Sequence, residues 1–139
     1  MPSSPTLAAA VRARRLGCLI GAVVVVATGL TVHLVGSGPV ADVVGDVLYA
    51  VLIYLVIAVA FPRARVWVVG ASAAAVCAAV ELFQLTGLPG QWAESFWPIR
   101  LVLGVGFDAR DLVAYVAGAA AAAGGDLALH ALARRRTRR

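Results

Sequence analysis

The chain contains no lysine. All 12 of its basic residues are arginine, they face only 7 acids, and charged residues make up just 14% of the 139 positions. A water-soluble domain carries about a quarter charged residues and is roughly half apolar. This chain is 62% hydrophobic, with a mean hydropathy of +0.92. What it lacks is the polar surface that a soluble fold needs. Cysteine is scarce too. Cys18 falls near one end of an apolar run and Cys77 midway along another. Such depths do not bring Cα atoms to the roughly 4.4–6.8 Å of a disulfide, so two free, buried thiols are expected.

A net charge of +5 would suit nucleic acid if the arginines formed one patch, but they are dispersed along the chain. Arg12, Arg14 and Arg15 precede the first apolar run, and Arg63 and Arg65 separate the second from the third. Arg134, Arg135, Arg136, Arg138 and Arg139 follow the fourth, leaving only Arg100 and Arg110 elsewhere. Short cytoplasmic loops of membrane proteins keep such an excess of positive charge. The expected partner is therefore the lipid bilayer, with the tail against anionic headgroups, and no nucleic acid is expected.

A membrane-spanning helix needs about 20 apolar residues. Four runs qualify: Leu16–Val35, Val43–Phe61, Val66–Leu88 and, approximately, Leu112–Ala133. They predict an all-α fold, a polytopic four-helix membrane bundle with both termini cytoplasmic. Residues 1–15 read as a short, unstructured cytoplasmic lead, 16–133 as a single membrane domain with no soluble domain, and 134–139 as a basic cytoplasmic tail. The first run is longer than the ~7–15 residues of a signal-peptide core, so an uncleaved anchor is expected. Arginine without lysine, with abundant Ala, Val and Gly, hints at a GC-rich bacterial genome, and so at a bacterial cytoplasmic (inner) membrane.

The informative stretch runs from Glu81 to Tyr115 and sets Glu81, Gln84, Glu94, Arg100, Asp108 and Asp111 among hydrophobic residues. A carboxyl well inside a spanning helix costs roughly 2.5–3.5 kcal/mol on insertion scales, and such residues face the bundle interior and find a partner. Glu81 is therefore expected to be buried and paired. Asp46 shares a helical face with Asp42, Tyr49 and Ile53, and Asp108, Asp111, Tyr115 and Gly118 recur on one face of the fourth run. With four spans in alternating direction, all these acids fall at one depth, the outer leaflet. Arg100 is the nearby cation, expected to bridge Glu81, Asp108 or Asp111 through its two-pronged guanidinium. The residues predict a polar pocket open to the outer face and walled by runs two, three and four. The apolar stretch Leu101–Phe107 is too short to span and reads as a re-entrant or surface-lying segment, with Gly104 and Gly106 allowing a sharp turn. Asp126 and His130, one helical turn apart near the basic tail, read as a solvated pair, and His33 as an ordinary interfacial side chain.

The order D-x-x-Y (Asp46, Tyr49), E-x-x-Q (Glu81, Gln84), Arg100, then D-x-x-x-Y-x-x-G (Asp111, Tyr115, Gly118) resembles the VanZ-like family. It looks closer still to a sister group of small bacterial membrane proteins classed only as a domain of unknown function. The resemblance covers about Val40 to Gly125. VanZ-like proteins usually have His where Tyr49 stands and Asn where Tyr115 stands, and both departures point to the sister group. The resemblance implies a four-helix membrane protein of the cell envelope, and for VanZ-like proteins an association with lowered teicoplanin susceptibility. It supplies no reaction.

Three functions compete. The first is a non-enzymatic protein that binds an envelope ligand, a lipid headgroup or a glycopeptide-related molecule, at Asp46, Tyr49, Glu81, Gln84, Arg100, Asp108, Asp111 and Tyr115. The second is a small proton-coupled transporter, since intramembrane acids relay protons, although no inverted repeat is evident. The third is a membrane enzyme. Ser72 and His33 fall at opposite depths, which excludes them as a nucleophile–base pair, and Phe107 interrupts a Gly-x-Gly-Asp signature. An oxygen-rich set from Asp46, Glu81, Asp108 and Asp111 would suit Mg²⁺ or Ca²⁺. The reading favoured here is the first, with no metal and no cofactor.

Overall fold

A computed structural model describes residues 7–136, and the remainder of the expected lead and basic tail, residues 1–6 and 137–139, lies outside the described residues. The described chain is all helical: α1 (Leu7–Val35), α2 (Pro39–Ala60), α3 (Val66–Gln84), α4 (Leu88–Ser95), α5 (Ile99–Leu103) and α6 (Asp111–Arg136). Four of these, α1, α2, α3 and α6, are long and apolar enough to cross a membrane. Their outward faces carry Leu, Val and Trp side chains, such as Val23, Leu34, Trp67 and Val113. Water would not tolerate so large an apolar surface on a monomer, whereas a bilayer is its natural solvent.

Several boundaries differ from the sequence reading: α2 begins at Pro39 instead of Val43, α3 ends at Gln84 instead of Leu88, and α6 runs on to Arg136, into the expected tail. Helix α1 starts at Leu7, inside the stretch expected to be unstructured. Leu7–Arg15 is rich in Ala and Arg, both strong helix formers, and Arg14 and Arg15 are held in place, as described below.

Local chemistry explains the other helix ends. Gly38 adopts a left-handed backbone (φ 81°) just ahead of Pro39 at the start of α2, and Asp42 lies in the first turn. Proline suits a first helical turn, and a carboxylate there complements the helix dipole. Pro62 follows the end of α2 and lacks the amide hydrogen needed to continue it. Gly87 (φ 72°) and Gly104 (φ 65°) likewise take conformations that other residues adopt at a cost, and they turn the chain out of α3 and α5. The stretch between α3 and α6 is thus folded into two short helices, with α4 held against α3 by a tilted Phe83–Trp92 ring contact at 5.7 Å.

Helices α2, α3 and α6 pack mutually, while α1 packs along α2 alone among the other helices. The shared core is built from small residues, with Ala50, Ala58, Ala73, Ala114 and Ala119 buried alongside Tyr54, Val69 and Tyr115. Helices in lipid gain from close backbone approach, and Gly118 is where α6 approaches α2 most tightly. A Cβ there would lie 2.5 Å from the Val47 carbonyl oxygen and 3.0 Å from the Ala50 Cβ. Gly118→Ala must therefore push the two helices apart, at roughly 1–3 kcal/mol by analogy with overpacked cores. Gly124 on the same helix has nothing within 4 Å of its Cβ position, so Gly124→Ala should be neutral or slightly stabilising. Thermal unfolding of the two variants in detergent checks the pair, and equal melting temperatures would contradict the close approach. Cys18 and Cys77 are both free and buried, as expected.

Candidate functional site

The four long helices share two ends. At one end α1 and α3 finish and α2 and α6 begin; α4 and α5 lie here, and so do all the acids singled out from the sequence except Asp126. Glu81, in the last turns of α3, has no solvent exposure. Its Oε1 accepts the backbone N–H of Asp108 at 2.6 Å, and its Oε2 accepts the hydroxyl of Tyr115 at 3.1 Å. The expectation that Glu81 is buried and partnered holds. Bonds donated to a carboxylate are the strong kind, and these two replace the water that the carboxyl gives up.

Arg100 is not among its partners. The guanidinium is exposed and makes no ion pair with any described residue. The reason lies in how the segment after α4 is held. Tyr49 of α2 donates its hydroxyl to the Val102 carbonyl at 2.8 Å. Gln84 of α3 donates its side-chain amide to the Leu103 carbonyl at 2.7 Å, and Glu81 takes the Asp108 N–H. Three side chains from two helices thus hold the backbone of residues 102–108. A Cβ on Gly104 would lie 2.5 Å from Gln84 Nε2, so only glycine lets the turn sit this close. With the segment fixed this way, Arg100 stands on the outward side of a one-turn helix, and the need it was expected to meet is met by a backbone donor and a phenol.

The other acids line a cavity of about 690 Å³ at this end. Asp42, Asp46, Asp108 and Asp111 contribute one wall, with Tyr49, Gln84 and Tyr115 behind them and Arg100 and His33 at the edge. Asp46 and Asp111 face each other across the α2–α6 contact within hydrogen-bonding reach. Asp108 turns its Oδ1 back onto the Arg110 N–H at 2.8 Å, forming a local turn ahead of α6. The Tyr49 and Tyr115 rings meet at 6.1 Å, tilted by 56°. Glu81 lies beneath this wall and does not line the cavity. The opposite wall was not anticipated: it comes from α1, with Val25, Val26, Gly29 and Leu30. Run one carries no acids, so nothing in its sequence marked it as part of the site.

Seven of the eight candidate residues therefore line one cavity, and the eighth, Glu81, holds its floor together. The oxygen-rich metal alternative does not assemble, because both Glu81 oxygens are engaged and no three His, Cys, Asp or Glu side chains among the described residues group to hold an ion.

A second polar cluster, of which the sequence reading caught only the Asp126–His130 pair, lies at the opposite end. Asp126 of α6 accepts Arg14 of α1 at 2.7 Å and the Tyr54 hydroxyl of α2 at 2.7 Å, both on Oδ2. His130 sits 3.1 Å from its Oδ1. Arg14 also donates to the Pro62 and Ala64 carbonyls at 2.7 and 3.0 Å, and Arg15 to the Val59 carbonyl at 3.0 Å. The Arg14 and Asp126 side chains are only 10% and 11% exposed, so Asp126 is not the solvated residue expected. Tyr54, in the middle of an apolar run, was the available signal, because a buried tyrosine hydroxyl needs a partner.

A family model described as Protein of unknown function (DUF2809) matches residues 35–119, more than half of the chain. The chain belongs to this family. The DUF2809 match takes in α2 to α5 and the first third of α6, and with them every bond around Glu81. The α1 wall before Val35 lies beyond it, and so do Arg14, Asp126 and His130, whereas Tyr54, Pro62 and Ala64 lie within it. No curated protein and no solved structure matches the chain.

Proposed function

We propose that this DUF2809 protein is a non-enzymatic lipid-binding protein of the bacterial cytoplasmic membrane, holding a lipid headgroup in the cavity between α1 and the acid-lined ends of α2 and α6. The observation that carries this reading is the cavity's two-sided chemistry. One wall is Val, Leu and Gly from a spanning helix, and the other is carboxylate, phenol and amide. A ligand matching both is amphipathic, with a chain lying along α1 and a polar head against α2 and α6. This favours a lipid over a glycopeptide-related ligand. The basic residues Arg14, Arg15, Arg63, Arg65 and Arg135 sit at the end away from the cavity, which by the positive-inside tendency turns the cavity outward and both termini to the cytoplasm. The resemblance to VanZ-like envelope proteins agrees with that placement.

Gly29 offers a direct test. It lines the cavity and has nothing within 4 Å of its Cβ position, so the backbone accepts a side chain there and Gly29→Phe places a ring at the cavity. Native mass spectrometry of the purified protein should show lipid retained by the parent and lost from Gly29→Phe, with the melting temperature preserved. Equal retention by both proteins would refute binding at this cavity.

A further inference from the structure

The cavity's charges and hydrogen-bonding groups do not balance within the protein, and the imbalance has a definite chemistry. Four carboxylates line it, against the single guanidinium of Arg100. Two of them, Asp46 and Asp111, lie within hydrogen-bonding reach of each other, an arrangement that calls for a cation or a shared proton between them. Independently, Gln84 is only 8% exposed and lines the same cavity. Its amide nitrogen is spent on the Leu103 carbonyl, which assigns the amide orientation, and its Oε1 is buried with no hydrogen-bond partner among the described residues. A buried acceptor of this kind costs free energy until a donor reaches it. Asp46, Asp111 and Gln84 Oε1 are thus three acceptors wanting N–H or O–H donors, and at least one positive charge.

A primary ammonium supplies three N–H donors and one positive charge. A trimethylammonium group supplies the charge and no donor, and a glycerol headgroup supplies donors and no charge. At the cavity edge Arg100 is exposed and free of any ion pair with a described residue, and guanidinium is the side chain best matched to a phosphate. Anion seat and cation seat therefore occur in one cavity, beside the apolar wall of α1.

We propose that the occupant is a membrane lipid whose headgroup carries both a primary ammonium and a phosphate, the ammonium seated among Asp46, Asp111 and Gln84 and the phosphate at Arg100. This rests on the lipid-binding reading above and adds the headgroup class. The apolar α1 wall commits the proposal to an acylated molecule over its free headgroup.

The test uses the full chain in nanodiscs made with equal amounts of three lipids of identical acyl chains, phosphatidylethanolamine, phosphatidylcholine and phosphatidylglycerol, with bound lipid read by native mass spectrometry. Phosphatidylethanolamine should be retained about tenfold over each of the others, the ratio expected from one charge-assisted hydrogen bond. Asp46→Asn and Asp111→Asn should each abolish that preference while lipid is still retained. Arg100→Ala should weaken all three lipids alike. Soluble glycerophosphoethanolamine at the same concentration should not displace the bound lipid. Equal retention of the three lipids, a preference for either competitor, a preference that survives both Asn substitutions, or displacement by the soluble headgroup would each overturn the proposal. If the parent holds no lipid, or Gly29→Phe holds as much, the binding reading itself fails, which separates the two conclusions.

Discussion

Asp126→Ala is expected to destabilise the protein by about 3–5 kcal/mol, the cost of removing one partner from a buried ion pair. Asp126 is the only carboxylate among the described residues that is ion-paired with an arginine, and three side chains depend on it. Without it, Arg14 keeps its two carbonyl acceptors at Pro62 and Ala64 but holds its charge in a nearly closed site with no counter-charge. Tyr54, 1% exposed, loses the acceptor of its hydroxyl. The damage should concentrate on α1, which packs on α2 alone among the described helices and is tied to α6 by the Arg14–Asp126 pair. Cys18 lies one turn along α1 from Arg14 and is 7% exposed, so it reports on that helix. In a Cys77→Ala background, maleimide should label Cys18 much faster once Asp126 is removed. Asp126→Asn, which keeps an acceptor without the charge, should recover part of the stability. An Asp126→Ala protein with an unchanged melting temperature and unchanged Cys18 labelling would show that α1 is held by packing alone.

Glu81→Ala should have the second-largest effect and a different signature. Two donors lose their acceptor, the Tyr115 hydroxyl and the Asp108 N–H. At roughly 1.5–3 kcal/mol for each bond to a charged group, less the roughly 2.5–3.5 kcal/mol that burying the carboxyl itself costs, a net loss of about 1–3 kcal/mol is expected. The visible consequence should be local. Glu81 is one of three side chains holding the backbone of residues 102–108, and the exposed Arg100 stands just ahead of that segment. Trypsin should cut after Arg100 several times faster in Glu81→Ala than in the parent. Glu81→Gln should fall between the two, because its amide oxygen can accept one of the bonds while its NH₂ faces a donor. Cleavage at the parent rate would mean that Tyr49 and Gln84 suffice to hold the segment. The same variant bears on function only indirectly, since Glu81 does not line the cavity but supports Tyr115 and Asp108, which do.

Much of this molecule was legible from the order of its residues. Four apolar runs, the gathering of Asp46, Glu81, Asp108 and Asp111 at one end, the two free thiols and the burial of Glu81 all follow from the sequence. These are properties of a local stretch of chain, or of one stretch against a bilayer of known thickness. A carboxyl inside a spanning helix must be buried and satisfied, and that holds whatever the rest of the chain does. What satisfies it is another matter. The partners of Glu81 lie 27 and 34 residues away, and Arg14 and Asp126 lie 112 apart. Charge complementarity pointed Glu81 at Arg100, yet a backbone N–H and a phenol took that place, because backbone donors carry no mark in a sequence and Gly104 brings the segment close enough to use one. Likewise α1, bare of acids, became a cavity wall only through its packing on α2, and Gly118 became indispensable only where α6 meets the Val47 carbonyl. Hydropathy and charge are summed along a chain, so the sequence alone determined which residues had to leave lipid. Hydrogen bonds require particular atoms within about 3 Å of one another, so only the tertiary structure decided which groups received them.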